Sequence, residues 1–192
     1  MATLRDARLY GGIGSILMLL FIAPYGYIIA LIGLALVTIA IYTLSKVTAT
    51  PSIFRNYLIF LLLSMAGVAA FLVAGATAIL EVIRIVMEGG DPDALIEAFI
   101  GRIIISWLIL VALATIAAVF LRKSYRSISN ALNVGMFSTV GLLYLIGAAA
   151  LIVFVGVFIL IIALILQIIA FFSIPEELPK PVTGIPPPPI PL

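Results

Sequence analysis

The sequence predicts an all-α, polytopic membrane bundle of about six transmembrane segments, in which two short hairpins flank a long central helical hairpin. Three observations predict it. Of the 192 residues, 65% are hydrophobic and only 9% charged, with a mean hydropathy of +1.40. A water-soluble domain is nearer half apolar and a quarter charged, so there is too little polar surface here to cover a soluble globule. The apolar residues also come in long uncharged runs separated by short polar or proline-glycine breaks. Soluble enzymes, nucleic-acid binders and disordered chains are excluded on this basis. Cysteine and histidine are both absent, which removes disulfides, thiolate nucleophiles and Cys- or His-ligated metal or haem.

The first apolar run, Leu9 to Ala23, follows Arg5, Asp6 and Arg8 and stops at Pro24-Tyr25-Gly26. It is about 22 Å long as a helix, enough for a thinned bilayer or for half of a re-entrant hairpin. The preceding arginines resemble a signal peptide, but no convincing cleavage site follows, so the run is read as a retained helix. Pro24 and Gly26 mark a turn into the second run, Tyr27 to Leu44. A polar loop from Lys46 to Arg55 contains Ser52, read as the cap of the next helix. The third run, Asn56 to Leu80, is long enough to span, and its helix is expected to continue outside the hydrocarbon through Glu81, Arg84 and Glu88. Gly89-Gly90 ends it. Asp91-Pro92 then starts another helix, with Asp at the N-cap, Pro at the first helical position, and Asp93 and Glu97 near the positive N-terminus.

The fourth span is Ile103 to Leu121. The stretch from Arg122 to Phe137 is amphipathic, with Tyr125, Ile128, Leu132 and Met136 on one face, and is read as a short interfacial helix. Ser138 to Ile174 has no charge and no proline. As one straight helix it would be about 55 Å long, so it must fold back, near Val153 to Gly156. This divides the chain into a helical membrane domain, 1–174, and a proline-rich tail, 175–192, that contains Pro186-Pro187-Pro188-Pro189 and is expected to be polyproline II.

Six crossings put both termini on one side. That side holds Arg5, Arg8, Lys46, Arg55, Arg122, Lys123, Arg126 and Lys180, the other only Arg84 and Arg102. The positive-inside bias predicts a multi-pass protein of the cell membrane with both termini cytoplasmic.

Several short segments are similar to a known family. They are Leu9-Tyr10-Gly11-Gly12-Ile13-Gly14-Ser15, Pro51-Ser52-Ile53-Phe54-Arg55-Asn56-Tyr57, Gly141-Leu142-Leu143-Tyr144-Leu145-Ile146-Gly147-Ala148 and Ala170-Phe171-Phe172-Ser173-Ile174. The chain resembles the mainly archaeal membrane proteins catalogued as domain of unknown function 996. The resemblance covers most of the chain apart from the acidic hairpin tip and the proline tail. It implies an archaeal multi-span protein with no assigned activity and supplies no catalytic residues. The two short hairpins also resemble each other: setting Gly26 on Gly156 superposes Ile32, Leu34, Leu36, Ile39 and Ala40 on Ile162, Leu164, Leu166, Ile169 and Ala170.

No Asp, Glu, Lys or Arg falls in mid-membrane, which weighs against proton-coupled transport and voltage sensing. The candidate polar membrane positions are Ser64, Ser106 and Gln167. Hydroxyls in spans most often bond their own helix, so Gln167 stands out, because a long amide in lipid needs a partner. Replacing it with leucine is expected to be tolerated by a scaffold and to cost flux in a polar pathway. Glu81, Arg84, Glu88 and Arg102 form a candidate charged outer hairpin, either a docking surface or a set of ion pairs. A carboxylate metal site from Asp91, Asp93 and Glu97 competes with their capping role, and no metal is assigned. Ala66, Gly67, Ala70, Ala74, Gly75 and Ala78 make a candidate helix-packing face, for the fourth span through Ala114 and Ala118 or for a second subunit. Arg122, Lys123 and Arg126 are a candidate lipid-headgroup cluster.

Without a nucleophile and base in reach of one another, catalysis is not expected. No cofactor and no nucleic-acid partner are expected either. The leading functional reading is a non-enzymatic scaffold or accessory subunit of a membrane complex. Its partners would be lipids, another membrane protein or copies of itself, and a cytoplasmic partner for the tail. The alternative is a passive transporter or channel for a small or apolar solute, with a path lined by Ser64, Ser106 and Gln167.

Overall fold

The computed structural model describes residues 3–89 and 92–178, apart from the side chains of residues 22 and 92–98. The described residues form six α-helices and no strand: α1 Leu4–Leu19, α2 Gly26–Val47, α3 Pro51–Met87, α4 Pro92–Leu132, α5 Met136–Ala150 and α6 Gly156–Phe172. Each helix packs on its neighbours in sequence, and α6 returns to α1, so the six close into a ring. Four segments, Gly26–Val47, Pro51–Met87, Phe99–Leu132 and Met136–Val153, are long and apolar enough to cross a membrane. The sequence-predicted polytopic helical bundle is thus the architecture found.

Local chemistry explains each start and stop. Before α1, Thr3 and Asp6 form a reciprocal cap: the Asp6 amide donates to Thr3 Oγ1 at 3.2 Å, and the Thr3 amide donates to Asp6 Oδ2 at 2.9 Å. These hydrogen bonds favour the carboxylate and hold the Asp6 pKa below its ordinary value. A depressed carboxylate pKa stabilises the fold above the ordinary range, and that stabilisation is lost as the pH falls through the lowered pKa. Acidification is therefore expected to fray the first turn of α1. Amide exchange should show it as Asp6 and Ala7 protection in the wild type falling to that of Asp6→Asn at low pH. A persistent difference at low pH would rule the cap out as the cause.

Both short hairpins turn in the same way. The first helix tightens into a 3-10 turn, Leu20–Ile22 or Leu151–Val153, a left-handed residue reverses the chain, and the second helix begins at a glycine. The left-handed residues are Tyr25 and Phe154, both with φ 62° and both exposed. A Cβ at Gly26 would lie 1.8 Å from the Leu20 carbonyl oxygen, and one at Gly156 2.2 Å from that of Gly147, so both turns require glycine. The fold-back expected near Val153 to Gly156 is found there.

Two sequence expectations are corrected. The cap before α3 is Thr50 rather than Ser52: Pro51 takes the first helical position, where its missing N–H costs nothing, and Ser52 lies inside the helix. The stretch from Arg122 is no separate interfacial helix. α4 runs unbroken to Leu132, because no helix breaker follows Leu121 and because Tyr125, Ile128 and Leu132 continue its buried stripe into the core. The break comes at Asn133, with φ 56°, a conformation asparagine tolerates.

The core gathers at the end of the bundle that carries the start of α1 and the end of α6. Ile41, Ile53, Ile128, Phe137 and Phe171 are fully buried there, and the Ser124 hydroxyl ties α4 to α3 by donating to the Ile53 carbonyl at 2.8 Å. α3 and α4, with 37 and 41 residues, run about 55 and 60 Å. They extend well past the short hairpins as a two-helix arm with large exposed apolar side chains, Leu72, Val73 and Leu80 among them.

Candidate functional site

The buried stripe of α6 is Ala163, Leu164, Gln167, Ala170 and Phe171, a spacing that puts one helix face inward with Gln167 at its middle. Its amide is a hub. Tyr125 of α4 donates to Gln167 Oε1 at 2.8 Å, and Tyr144 of α5 donates to the same oxygen at 2.9 Å. Gln167 Nε2 donates to Ser15 Oγ of α1 at 2.8 Å, and that hydroxyl in turn donates to the Gly11 carbonyl at 2.7 Å. Both lone pairs of the amide oxygen are used, and four helices meet through one side chain.

A second polar contact completes the layer. Thr38 of α2 donates to the Leu34 carbonyl at 2.8 Å and lies 3.4 Å from the Tyr57 hydroxyl of α3. Its only proton is committed, so Tyr57 is the donor between them. Tyr57, Tyr125, Tyr144 and Gln167, with Met18 and Phe60, line a cavity of about 50 Å³. That space holds a water molecule or two and no larger guest. On the side of the termini it is closed by the apolar core, where Leu4, Ile128, Leu132 and Ile174 are all buried.

The other sequence-predicted positions do not join this layer. Ser106 is buried but donates to the Arg102 carbonyl of its own helix at 2.6 Å, and Ser64 is half-buried on α3. Neither makes a hydrogen bond to Gln167, so the three do not line a continuous row. Glu81 pairs with Arg102 between α3 and α4, and Arg84 pairs with Glu88 at 2.9 Å on one helix face. These ion pairs are largely solvent-exposed and of small energetic weight. Asp91 and the side chains of Asp93 and Glu97 lie outside the described residues. Arg122, Lys123 and Arg126 are exposed at the end of α4, with Lys123 5.2 Å from the centre of the Phe120 ring.

On α3, Gly67 and Ala78 are buried, Ala74 and Gly75 half-buried, and Ala66 and Ala70 exposed. An i+4 ladder rotates about 40° per step around a 3.6-residue helix, so it leaves a straight contact seam after one or two turns. Away from the two hairpin turns, glycines bring helices close at α1 instead. A Cβ on Gly33 would fall 2.5 Å from the Gly14 carbonyl oxygen, and one on Gly11 2.1 Å from the Phe171 ring.

Sequence reasoning found Gln167 and missed its partners. From the sequence, Tyr125 reads as part of one face of an interfacial helix, and nothing marks Tyr57, Tyr144 or Ser15 as polar partners. The available signal was periodic: Tyr125 shares the stripe of Leu121, Ile128 and Leu132, which places a hydroxyl on a buried face.

Comparison with known proteins follows the same lines. The family model described as protein of unknown function (DUF996) matches residues 29–165, running through the acidic turn between α3 and α4. An uncharacterized protein of Methanocaldococcus jannaschii is 33% identical over 175 residues, covering 91% of this chain and 95% of its own length. No solved structure matches. The match over most of the helical ring, with a relative aligned along nearly its whole length, shows that the chain belongs to the DUF996 family.

Proposed function

We propose that this chain is a non-enzymatic structural subunit of a cell-membrane complex, with both termini on the cytoplasmic side. One observation carries the reading: the most polar group at the centre of the ring makes three hydrogen bonds, all to the protein's own side chains. Gln167 is tied to Ser15, Tyr125 and Tyr144, and the cavity beside it has room for no more than a water molecule or two. A conducting path needs polar groups left free to exchange partners with a passing solute. The six-helix ring is thus a rigid plug from which the α3–α4 arm projects apolar surface toward lipid or another protein's helix. The basic residues gathered at the terminal end, Arg122, Lys123 and Arg126 among them, support the cytoplasmic placement of that end and its contact with anionic headgroups.

The test joins two measurements. Native mass spectrometry of the protein extracted gently from its own membrane is expected to show a second membrane protein in fixed stoichiometry. Purified protein in liposomes is expected to leave the permeability to water, glycerol and small ions at that of empty vesicles. A lone protein, with no second membrane protein bound, that accelerates flux would overturn the reading in favour of a passive channel.

A further inference from the structure

We propose that the proline-rich tail of this chain docks on its own helical ring, in the cleft at the α2–α3 turn formed by Tyr42, Lys46 and Phe54. The cleft has a volume of about 370 Å³ and is walled by the Tyr42 and Phe54 rings, whose centres are 5.1 Å apart at 73°. Lys46 reaches over the Tyr42 ring, 5.5 Å from its centre, and Pro51 and Ala49 form the rest of the wall. The donors at its rim are the Lys46 ammonium and the Tyr42 hydroxyl; the Ser45 hydroxyl is committed to the Thr50 carbonyl at 3.1 Å. The cleft therefore presents flat aromatic faces and hydrogen-bond donors.

A polyproline segment is the complement of such a surface. Pro186-Pro187-Pro188-Pro189 has no backbone N–H to satisfy, and in the polyproline II conformation every carbonyl is left free to accept. Its rings stack on aromatic faces, and its stiffness makes ordering it inexpensive.

The path of the chain singles out this chain's own tail as the occupant. Ile174 is buried at the end of α6, and Glu176 then lies 4.0 Å from Arg8 of α1. The chain leaving α6 thus passes beside α1, the helix that stands between α6 and α2 in the ring. Two interhelical steps of 8–10 Å separate α6 from α2, roughly 16–20 Å. Seven residues in a polyproline II conformation would span about 22 Å, so residues 179–185 are long enough for Pro186 to reach the Tyr42–Phe54 cleft.

The absence of cysteine makes the test direct. In the full-length protein, Ala49→Cys combined with Ile185→Cys places one thiol in the cleft wall and one at the start of the proline run. Asn130→Cys, exposed on α4 and away from the α6–α1–α2 path, serves as the control partner for the same tail thiol. With a short bismaleimide, the cleft pair is expected to cross-link within the monomer about tenfold faster than the control pair, through its higher effective concentration. Tyr42→Ala, or Pro186→Ser, Pro187→Ser, Pro188→Ser and Pro189→Ser together, is expected to bring the rate down to that of the control. Both changes fall on exposed or tail positions, and an unchanged helical circular dichroism spectrum checks the fold. Equal rates for the two pairs, no cross-link at either, insensitivity to the proline replacements, or cross-linked dimers in place of monomers would each overturn the proposal; the dimers would assign the cleft to the tail of another copy.

Discussion

Gln167→Leu is expected to destabilise the protein by about 2 kcal/mol, contrary to the tolerance that the sequence alone predicts for a scaffold. The leucine fits the space and suits its apolar neighbours. What it removes is the acceptor for two buried phenols, since Tyr125 and Tyr144 both donate to Gln167 Oε1. A buried donor left without a partner costs about 1–3 kcal/mol in proteins generally, and interhelical hydrogen bonds in membranes about 0.6–2 kcal/mol, so two orphaned hydroxyls set the net figure. Ser15 contributes little, because its hydroxyl keeps the Gly11 carbonyl. Denaturation in mixed micelles would give the number. The diagnostic step is the triple variant Gln167→Leu, Tyr125→Phe, Tyr144→Phe. Removing donors and acceptor together leaves nothing unpaired, so it is expected to recover most of the lost stability, a strong departure from additivity. If Gln167→Leu alone matches the wild type, the phenols have other partners and the polar layer is not what holds the four helices.

The reason this reversal was hidden shows where the sequence stops being informative. Hydropathy and breaks specify helices well, because each run must either cross or turn: Pro24-Tyr25-Gly26 and the stretch around Gly156 are where the chain reverses. The polarity of Gln167 marked it out for the same reason. Its partners lie 152, 42 and 23 residues away, and nothing local in the chain says that Ser15, Tyr125 and Tyr144 converge on it. The end of α4 is hard to read for similar reasons. An amphipathic stretch after a basic cluster looks interfacial when the burying partner, here the start of α3 and the start of α5, is out of view. Small residues are the least legible of all. Gly75 and Gly33 both sit inside apolar helices, and only the fold separates a glycine that is needed from one that is not.

That separation yields a prediction of opposite signs. Gly33→Ala is expected to cost about 2–3 kcal/mol, at the upper end of what overpacking a core costs. The new Cβ would stand 2.5 Å from the Gly14 carbonyl oxygen and 2.7 Å from the Met18 nitrogen, both backbone atoms of α1. No side-chain rotation relieves either contact, so α1 must move off α2 by roughly 1 Å to restore ordinary van der Waals separation. α1 cannot move freely, because its other side is pressed on α6 through Gly11 and the Phe171 ring. Gly14→Ala meets the Gly33 carbonyl oxygen at 2.7 Å and is expected to behave alike. The double variant should cost less than the sum, since one displacement accommodates both methyl groups. Gly75→Ala meets nothing within 4 Å. It is expected to be neutral or to stabilise by about 0.5–1 kcal/mol, from the lower backbone entropy that alanine gives up in a helix. Unfolding midpoints of the four variants in one detergent would decide the matter. A loss at Gly75 comparable to that at Gly33 would mean that another helix lies against the α3 face in the folded protein, and would make the surface around Gly75 part of an interface rather than of an arm facing lipid.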